Sequence, residues 1–154
     1  MKIRDLQRTW NELGKSDPLS AILTGHGKWE IDQFFETGIK EVDALMRYVS
    51  SLGISLHRKR ALDFGCGVGR LTQALAEYFD EVCGVDIAPS MIELAKKYNR
   101  HGDTCKYYVN DKDDLSMFDD GSFNFICTIL TLQHMKPTYS KKYLVEFVRI
   151  LEPE

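Results

Sequence analysis

The sequence predicts an α/β domain in which a mostly parallel β-sheet lies between layers of helices. From residue 60 onward, short apolar runs with strand character alternate with segments of helical periodicity. The link between the first two runs holds one helix and little else, which favours a parallel pair with a right-handed crossover. A glycine-rich turn directly follows the first run. The residues before that run show helical patterns only.

The composition limits the classes of protein. The chain has 154 residues, the size of one domain, and its 44% hydrophobic and 28% charged residues are usual for a water-soluble globular protein. A net charge of −3 gives no electrostatic reason for a nucleic-acid or anionic-membrane partner. No apolar run reaches the length of a membrane span, and the N-terminus lacks the apolar core of a signal peptide. We therefore expect a cytoplasmic protein without nucleic-acid or membrane partners.

The cysteines do not form the pattern of a disulfide framework or a zinc site. None of the four belongs to a C-x-x-C pair: they are Cys66, Cys83, Cys105 and Cys127. In a reducing cytosol such residues serve as small buried hydrophobes, and that is the role we expect.

The N-terminal part of the chain predicts helices. Residues 2–14 carry apolar side chains at helical spacing, and Asp17 before a proline indicates the cap of a short helix over 18–23. Residues 31–35 read as helical, and Gly38 is expected to separate them from a longer helix that ends near residue 52.

The turn after the first strand is where the sequence indicates a ligand site. Residues 61–64 read as a buried strand, and Gly65, Gly67 and Gly69 follow with one residue between each pair. Glycine tolerates positive φ and brings no side chain, so the backbone can turn sharply and stay open to a ligand. The helix that begins near Leu71 presents unpaired N–H groups to the same place. Together these features predict a nucleotide-type cradle.

The elements after the turn alternate regularly. A helix over 71–79, a strand over 81–86, a helix over 89–98, a strand over 104–109, an apolar strand over 123–130 and a helix over 137–151 follow in that order.

The glycine spacing distinguishes between two kinds of nucleotide. A dinucleotide fingerprint, G-x-G-x-x-G, needs a third glycine where Arg70 stands, so a nicotinamide enzyme is disfavoured. What stands instead is D-x-G-x-G-x-G from Asp63 to Gly69. With the strand that ends at Asp86, this pattern resembles the first motifs of class I S-adenosylmethionine-dependent methyltransferases.

The resemblance implies a fold and a division of the chain. It implies a Rossmann-like three-layer sandwich with strand order 3-2-1-4 and a helical lid. The lid would comprise residues 1–58 and the cofactor-binding core residues 59–154. Three further strands of the family have no counterpart, so a chain truncated after the fourth strand and its helix is expected. A truncated relative that serves as a binding or assembly module stays open beside the enzyme.

The resemblance also implies a cofactor site for S-adenosylmethionine, with S-adenosylhomocysteine as product. Asp86 would accept hydrogen bonds from the ribose hydroxyls, and Ile87 and Met91 would lie against the adenine, although both also suit the core. Asp111 would bind the adenine amino group and Lys112 would offer its backbone N–H, unless this acidic stretch is a solvated loop. Completing the set are the turn residues Asp63, Gly65, Cys66, Gly67, Gly69 and Arg70, together with Thr128 at the end of the fourth strand.

The acceptor site is less defined by the sequence. The resemblance implies a small-molecule acceptor, and His134 is the candidate general base, with a structural hydrogen-bonding role as the alternative. The strand over 123–130 would form an exposed edge of the sheet. We expect either a homodimer through that edge or its coverage by the N-terminal helices. The third alternative is that the chain is a fragment of a longer protein.

Overall fold

The computed structural model describes residues 2–25 and 27–153. In these ranges the helices are α1 (Ile3–Ser16), α2 (Pro18–Ile22), α3 (Ile31–Ser51), α4 (Arg70–Leu75), α5 (Pro89–Tyr98) and α6 (Pro137–Ile150). The strands are β1 (Arg60–Phe64), β2 (Glu81–Asp86), β3 (Cys105–Val109) and β4 (Phe125–Cys127). Short 3-10 turns cover Gly102–Thr104 and Leu132–His134.

The predicted α/β architecture and strand order are confirmed. The four strands form one parallel sheet in the order β3-β2-β1-β4. Leu62 of β1 lies in register with Cys83 on one side and with Ile126 on the other. Because parallel strands end at the same edge, the glycine turn, Asp86 and the residue after β3 come together there.

Helices cover both faces of the sheet. Alternate residues of β1 point to opposite faces, so Leu62 packs in a cluster with Phe147 of α6, and Ala61 packs in another with Val42 of α3 and Leu75 of α4. The four cysteines are buried and unpaired, as the sequence indicated. Within residues 2–25 and 27–153, no helix combines the length and apolar character needed to span a membrane.

The predicted cap of α2 is present. Pro18 is its first residue, and the Asp17 side chain accepts a hydrogen bond from the Ser20 N–H at 3.4 Å. This bond satisfies one of the free N–H groups at the helix start. The sequence therefore located this start correctly.

The expected break at Gly38 is wrong. The helix α3 runs without interruption from Ile31 to Ser51. A Cβ at Gly38 would lie 2.5 Å from the backbone oxygen of Arg70 and 2.9 Å from its Cγ. The glycine therefore allows α3 to approach the first residue of α4 closely, which is a packing role.

The fourth strand is shorter than the expected 123–130. Regular pairing with β1 covers Phe125–Cys127. Before it, Phe123 pairs in parallel with Leu151: the Phe123 N–H donates to the Ile150 oxygen at 2.9 Å, and the Glu152 N–H donates to the Phe123 oxygen at 2.8 Å. After it, Leu130 has φ 59°, which no continuing strand permits. The start of this edge is thus covered by residues that follow α6.

Candidate functional site

A cavity of about 260 Å³ lies at the carboxyl ends of the strands. Its walls come from the glycine turn, the end of β2, the residues after β4 and the helices that precede β1. The glycine turn contributes Gly65 and Gly67, and the end of β2 contributes Asp86 and Ile87. Leu130 and His134 follow β4, and Trp10 and Ile22 belong to the helices before β1. The site is therefore assembled from segments that are far apart in the sequence.

The glycine turn is held by backbone hydrogen bonds. The N–H groups of Gly65 and Cys66 both donate to the Val85 oxygen, at 2.7 and 3.0 Å. Gly65, Gly67 and Gly69 have φ of 79°, 53° and 86°, in the left-handed region that other residues seldom occupy. A side chain at Gly65 would also meet Thr131, whose Oγ1 would lie 2.2 Å from the added Cβ. Glycine is required here on both counts.

Asp86 connects the turn to the end of β2. One carboxylate oxygen accepts the Gly67 N–H at 2.9 Å and the other accepts the Ala88 N–H at 2.9 Å. Burial raises the pKa of Asp86, and these backbone donors counteract part of that rise. Each carboxylate oxygen retains capacity for a second hydrogen bond. Asp86 can therefore bind hydroxyl donors of a ligand.

Asp63 is the buried acid beneath the turn. Its side chain is 2% exposed and accepts a hydrogen bond from the Thr72 hydroxyl at 2.7 Å. Burial raises the pKa of Asp63 to about 6, against the opposing effects of Thr72 and the Arg70 charge. A carboxylate in this position costs folding free energy once it ionises.

Replacing Asp63 by asparagine is expected to change the pH dependence of stability. The folded carboxyl keeps its proton up to about pH 6, whereas the unfolded one loses it near pH 4. The protonated Asp63 carboxyl therefore makes its full contribution to the free energy of unfolding below pH 4, and this contribution is lost as the pH rises to 6. Between pH 4 and pH 7, the free energy of unfolding of Asp63→Asn should rise by about 3 kcal/mol relative to the wild type. Urea unfolding at several pH values measures the difference, and a pH-independent difference would contradict it.

Arg70 lies in the cavity wall, but its charge is already paired. The side chain is 5% exposed, and its Nη1 lies 2.8 Å from a Glu41 oxygen and 3.2 Å from the Thr37 hydroxyl, both on α3. The ion pair joins the first residue of α4 to the helix that packs against it. The guanidinium is thus oriented by α3.

Two residues predicted to face the adenine share the cavity with one that was not predicted. Ile87 and Met91 line the cavity, and Met91 also packs in the core beside Phe34 and Val68. Asn110 lines it as well, is 7% exposed and donates from Nδ2 to the Asp114 oxygen at 2.9 Å. Sequence reasoning missed Asn110, although its position directly after a strand was a usable signal.

Four predicted residues are absent from the described walls of the cavity: Gly69, Asp111, Lys112 and Thr128. β3 ends at Val109 and Asn110 turns inward, which leaves Asp111 and Lys112 exposed. The Lys112 oxygen accepts the Tyr143 hydroxyl, and the Thr128 hydroxyl is buried. Gly69 caps α4. Their contact with a cofactor stays a prediction.

Helix α1 closes one side of the cavity with Ile3, Leu6 and Trp10. Two polar residues on it hold α1 near the start of α5. The Gln7 amide donates to the Ile87 oxygen at 3.1 Å, while Asn11 accepts the Ser90 N–H at 3.0 Å and the Ser90 hydroxyl at 2.8 Å. From α2, Ile22 lies over Gly67, 2.7 Å from where a Cβ would be.

His134, the general base that the sequence analysis suggested, lies among the walls of the cavity. It belongs to the 3-10 turn after β4, is exposed and lines the wall. The Trp10 ring contacts its imidazole edge-on, with centroids 5.1 Å apart. This contact joins α1 to the segment after β4 across the cavity.

Comparison with known sequences gives consistent matches. The profile of a family described as methyltransferase domain matches residues 61–154. A ubiquinone biosynthesis O-methyltransferase of Xanthomonas euvesicatoria pv. vesicatoria is 31% identical over 58% of this chain and 38% of its own length. The O-methyltransferase cnsE of Penicillium expansum is 30% identical over 90% of this chain and 51% of its own. The chain thus spans about a third to a half of these relatives.

Solved structures share the fold. Phosphoethanolamine N-methyltransferase 1 of Haemonchus contortus, crystallised with phosphoethanolamine and S-adenosylhomocysteine, is 25% identical with a TM-score of 0.75. The match covers 99% of this chain and 30% of that one. Magnesium protoporphyrin IX methyltransferase of Synechocystis PCC 6803, with S-adenosylmethionine bound, is 21% identical with a TM-score of 0.69 over 97% of this chain and 71% of its own.

Proposed function

This chain belongs to the methyltransferase domain family, and from that premise we propose that it transfers a methyl group from S-adenosylmethionine to a small-molecule acceptor. One observation carries the proposal: a positive-φ glycine turn, bonded through Gly67 to Asp86, faces the same cavity as His134. The relatives named above support a small-molecule acceptor. Asp86, at the end of the second strand, supplies the carboxylate that this family places there.

The residues present fit an adenosine-bearing cofactor. Asp86 would hold the ribose hydroxyls with its remaining acceptor capacity, and Ile87 and Met91 would offer apolar surface to the base. The turn residues Asp63, Gly65, Cys66, Gly67, Gly69 and Arg70 would surround the rest of the molecule, while Asp111, Lys112 and Thr128 stay further candidates. When bound, S-adenosylmethionine supplies an electrophilic methyl group on a sulfonium.

The chain's own groups would orient the reactants and manage one proton. Helix α1, as part of the lid proposed for residues 1–58, would exclude water from the cavity enclosed by the core of 59–154. We propose that His134 accepts the proton of the acceptor, because its imidazole lies on the wall and is exposed. Trp10 would hold that ring in place.

Calorimetric titration with S-adenosylhomocysteine tests the proposal. Micromolar binding is expected for the wild type, with NAD unable to compete. His134→Ala should bind the ligand equally well and lose transfer activity by about 10²-fold or more. Absence of binding at millimolar ligand would refute the methyltransferase. Binding without any transfer to a panel of acceptors would favour the second function, a methyltransferase-like binding or assembly module.

We further propose that two copies associate through the edge of β4 and that the protein acts in the cytoplasm without nucleic-acid partners. Support comes from the edge itself: Phe125–Cys127 pairs with β1 on one side, and, within residues 2–25 and 27–153, the bridge at Leu151 pairs with Phe123 and not with β4. The net charge of −3 argues against nucleic acid. Sedimentation velocity is expected to show a dimer, and a monomer at every concentration would refute the association.

A further inference from the structure

The start of α5 is satisfied by a hydrogen bond from a distant helix as well as by its own backbone. Its first residue is a proline, which has no N–H group. The N–H groups of Met91 and Ile92 both donate to the Ala88 oxygen, at 3.1 and 3.2 Å. The Ser90 N–H donates instead to the Asn11 Oδ1 at 3.0 Å. Because the N-cap residue Ala88 has no side-chain oxygen, Asn11 of α1 caps α5 in its place.

The proposed ribose ligand, Asp86, belongs to the same hydrogen-bond network. One of its carboxylate oxygens accepts the Ala88 N–H and the other accepts the Gly67 N–H, both at 2.9 Å. Ala88 is the N-cap residue of α5, and Ser90 follows it by two positions. The contacts thus run from Asn11 on α1, through the first residues of α5, to the Asp86 carboxylate and the glycine turn.

Further contacts fit α1 against the start of α5. The Ser90 hydroxyl donates to the Asn11 backbone oxygen at 2.8 Å. The Gln7 amide donates to the oxygen of Ile87, the residue directly after Asp86, at 3.1 Å. A Cβ at Gly14 would overlap the Ser90 hydroxyl, so glycine allows the two helices to approach this closely. Positions 7, 11 and 14 are four and three residues apart, which places these three side chains on one face of α1.

We propose that Asn11 is a positioning residue of the cofactor site. Its cap on α5 holds residues 86–88 in the geometry that binds the ribose, so docking of α1 and binding of the cofactor reinforce each other. The inference rests on the function proposed above. Because such coupling is reciprocal, the bound cofactor holds α1 in place to the same extent that α1 strengthens binding. Ile3, Leu6 and Trp10 of α1 line the cavity, so the linkage favours a closed cavity when the cofactor is bound.

Titration of Asn11 variants with S-adenosylhomocysteine tests the cap. Alanine removes the acceptor for the Ser90 N–H, although it is the better helix former and raises the helix propensity of α1 itself. Asn11→Ala should weaken binding about three- to tenfold, the factor by which a lost cap typically shifts an equilibrium. Asn11→Asp keeps an acceptor oxygen and should bind within about twofold of the wild type. Glu12→Gln, at the exposed next residue of α1, is the matched control and should have no effect.

Hydrogen exchange of the wild-type protein measures the linkage without any variant. Saturating S-adenosylhomocysteine should slow the amide exchange of residues 7–14 and of residues 90–92 at least about tenfold, because both segments open together in the free protein. Residues 46–51, at the end of α3, serve as the control segment and should exchange at the same rate with and without the ligand.

The outcomes separate this inference from the proposed function. If S-adenosylhomocysteine does not bind the wild type, the methyltransferase proposal fails and this inference falls with it. If a folded Asn11→Ala protein binds it as tightly as the wild type, or if Asn11→Asp loses as much affinity as Asn11→Ala, the cap does not position the site and the methyltransferase stands. Thermal melts establish folding. Should an Asn11 variant not fold, the exchange measurement decides, and α1 amides that ignore the ligand would overturn the linkage.

Discussion

Replacing Asp86 by alanine is expected to weaken S-adenosylhomocysteine binding at least about 100-fold. Hydrogen bonds to a charged group contribute roughly 1.5–3 kcal/mol each, and two ribose hydroxyls would lose such a partner. The variant also releases the Gly67 N–H from its 2.9 Å bond, so the glycine turn loses one of its hydrogen bonds to β2 and keeps those to the Val85 oxygen. Both effects act in the same direction, and calorimetry measures their sum.

Two further variants test whether the loss of S-adenosylhomocysteine affinity is specific to the Asp86 carboxylate. Asp119→Ala removes an exposed carboxylate in the loop before β4 and should bind like the wild type. Asp86→Asn keeps one acceptor oxygen and should lie between the wild type and alanine. Thermal melts establish that each variant is folded. An Asp86→Ala protein that is folded and binds within threefold of the wild type would contradict the proposed ribose contact.

Substitution of Gly38 is expected to destabilise the fold although it lies within a helix. Alanine gains about 1 kcal/mol in helix propensity over glycine, but its Cβ would lie 2.5 Å from the Arg70 oxygen. That oxygen belongs to the backbone at the start of α4 and cannot rotate away. Overpacking typically costs about 1–3 kcal/mol and occasionally more. We expect net losses of about 2 kcal/mol for Gly38→Ala and about 4 kcal/mol for Gly38→Val in urea unfolding.

An exposed position of the same helix provides the control. Ser50→Ala should be neutral or slightly stabilising, because Ser50 lies on the solvent side of α3 and alanine is the better helix former. If Gly38→Ala were as stable as the wild type, α3 and α4 would have to separate locally. The close approach between them would then not be a requirement of the fold.

Local patterns were sufficient for the parts of the fold that depend on neighbours in sequence. The glycine turn and the Asp17 cap follow from spacing within short windows, whereas the strand order was implied by the family resemblance. The role of Gly38 could not be predicted in this way, because a glycine in a helical pattern indicates either a helix break or close packing until its partner is known. That partner, Arg70, belongs to a later helix. The length of β4 likewise depends on the pairing of Phe123 with Leu151.

The candidate site divides in the same way. The glycine turn and Asp86 could be predicted, since they follow directly from a strand, a turn and a second strand. Asn110 was missed although the end of β3 at Val109 was predicted correctly, because the resemblance implied Asp111, whereas the side chain in the wall belongs to the residue before it. The fold brings Trp10 beside His134, and no spacing in the sequence relates two residues so far apart.

The glycine turn is fixed by main-chain atoms, since Gly65 and Cys66 both bind the Val85 oxygen. Other walls of the cavity are made of side chains on α1 and on the segment after β4. Exchange of those side chains leaves the main-chain bonds untouched. A substitution in those walls would therefore reshape the pocket without removing the hydrogen bonds that hold the turn.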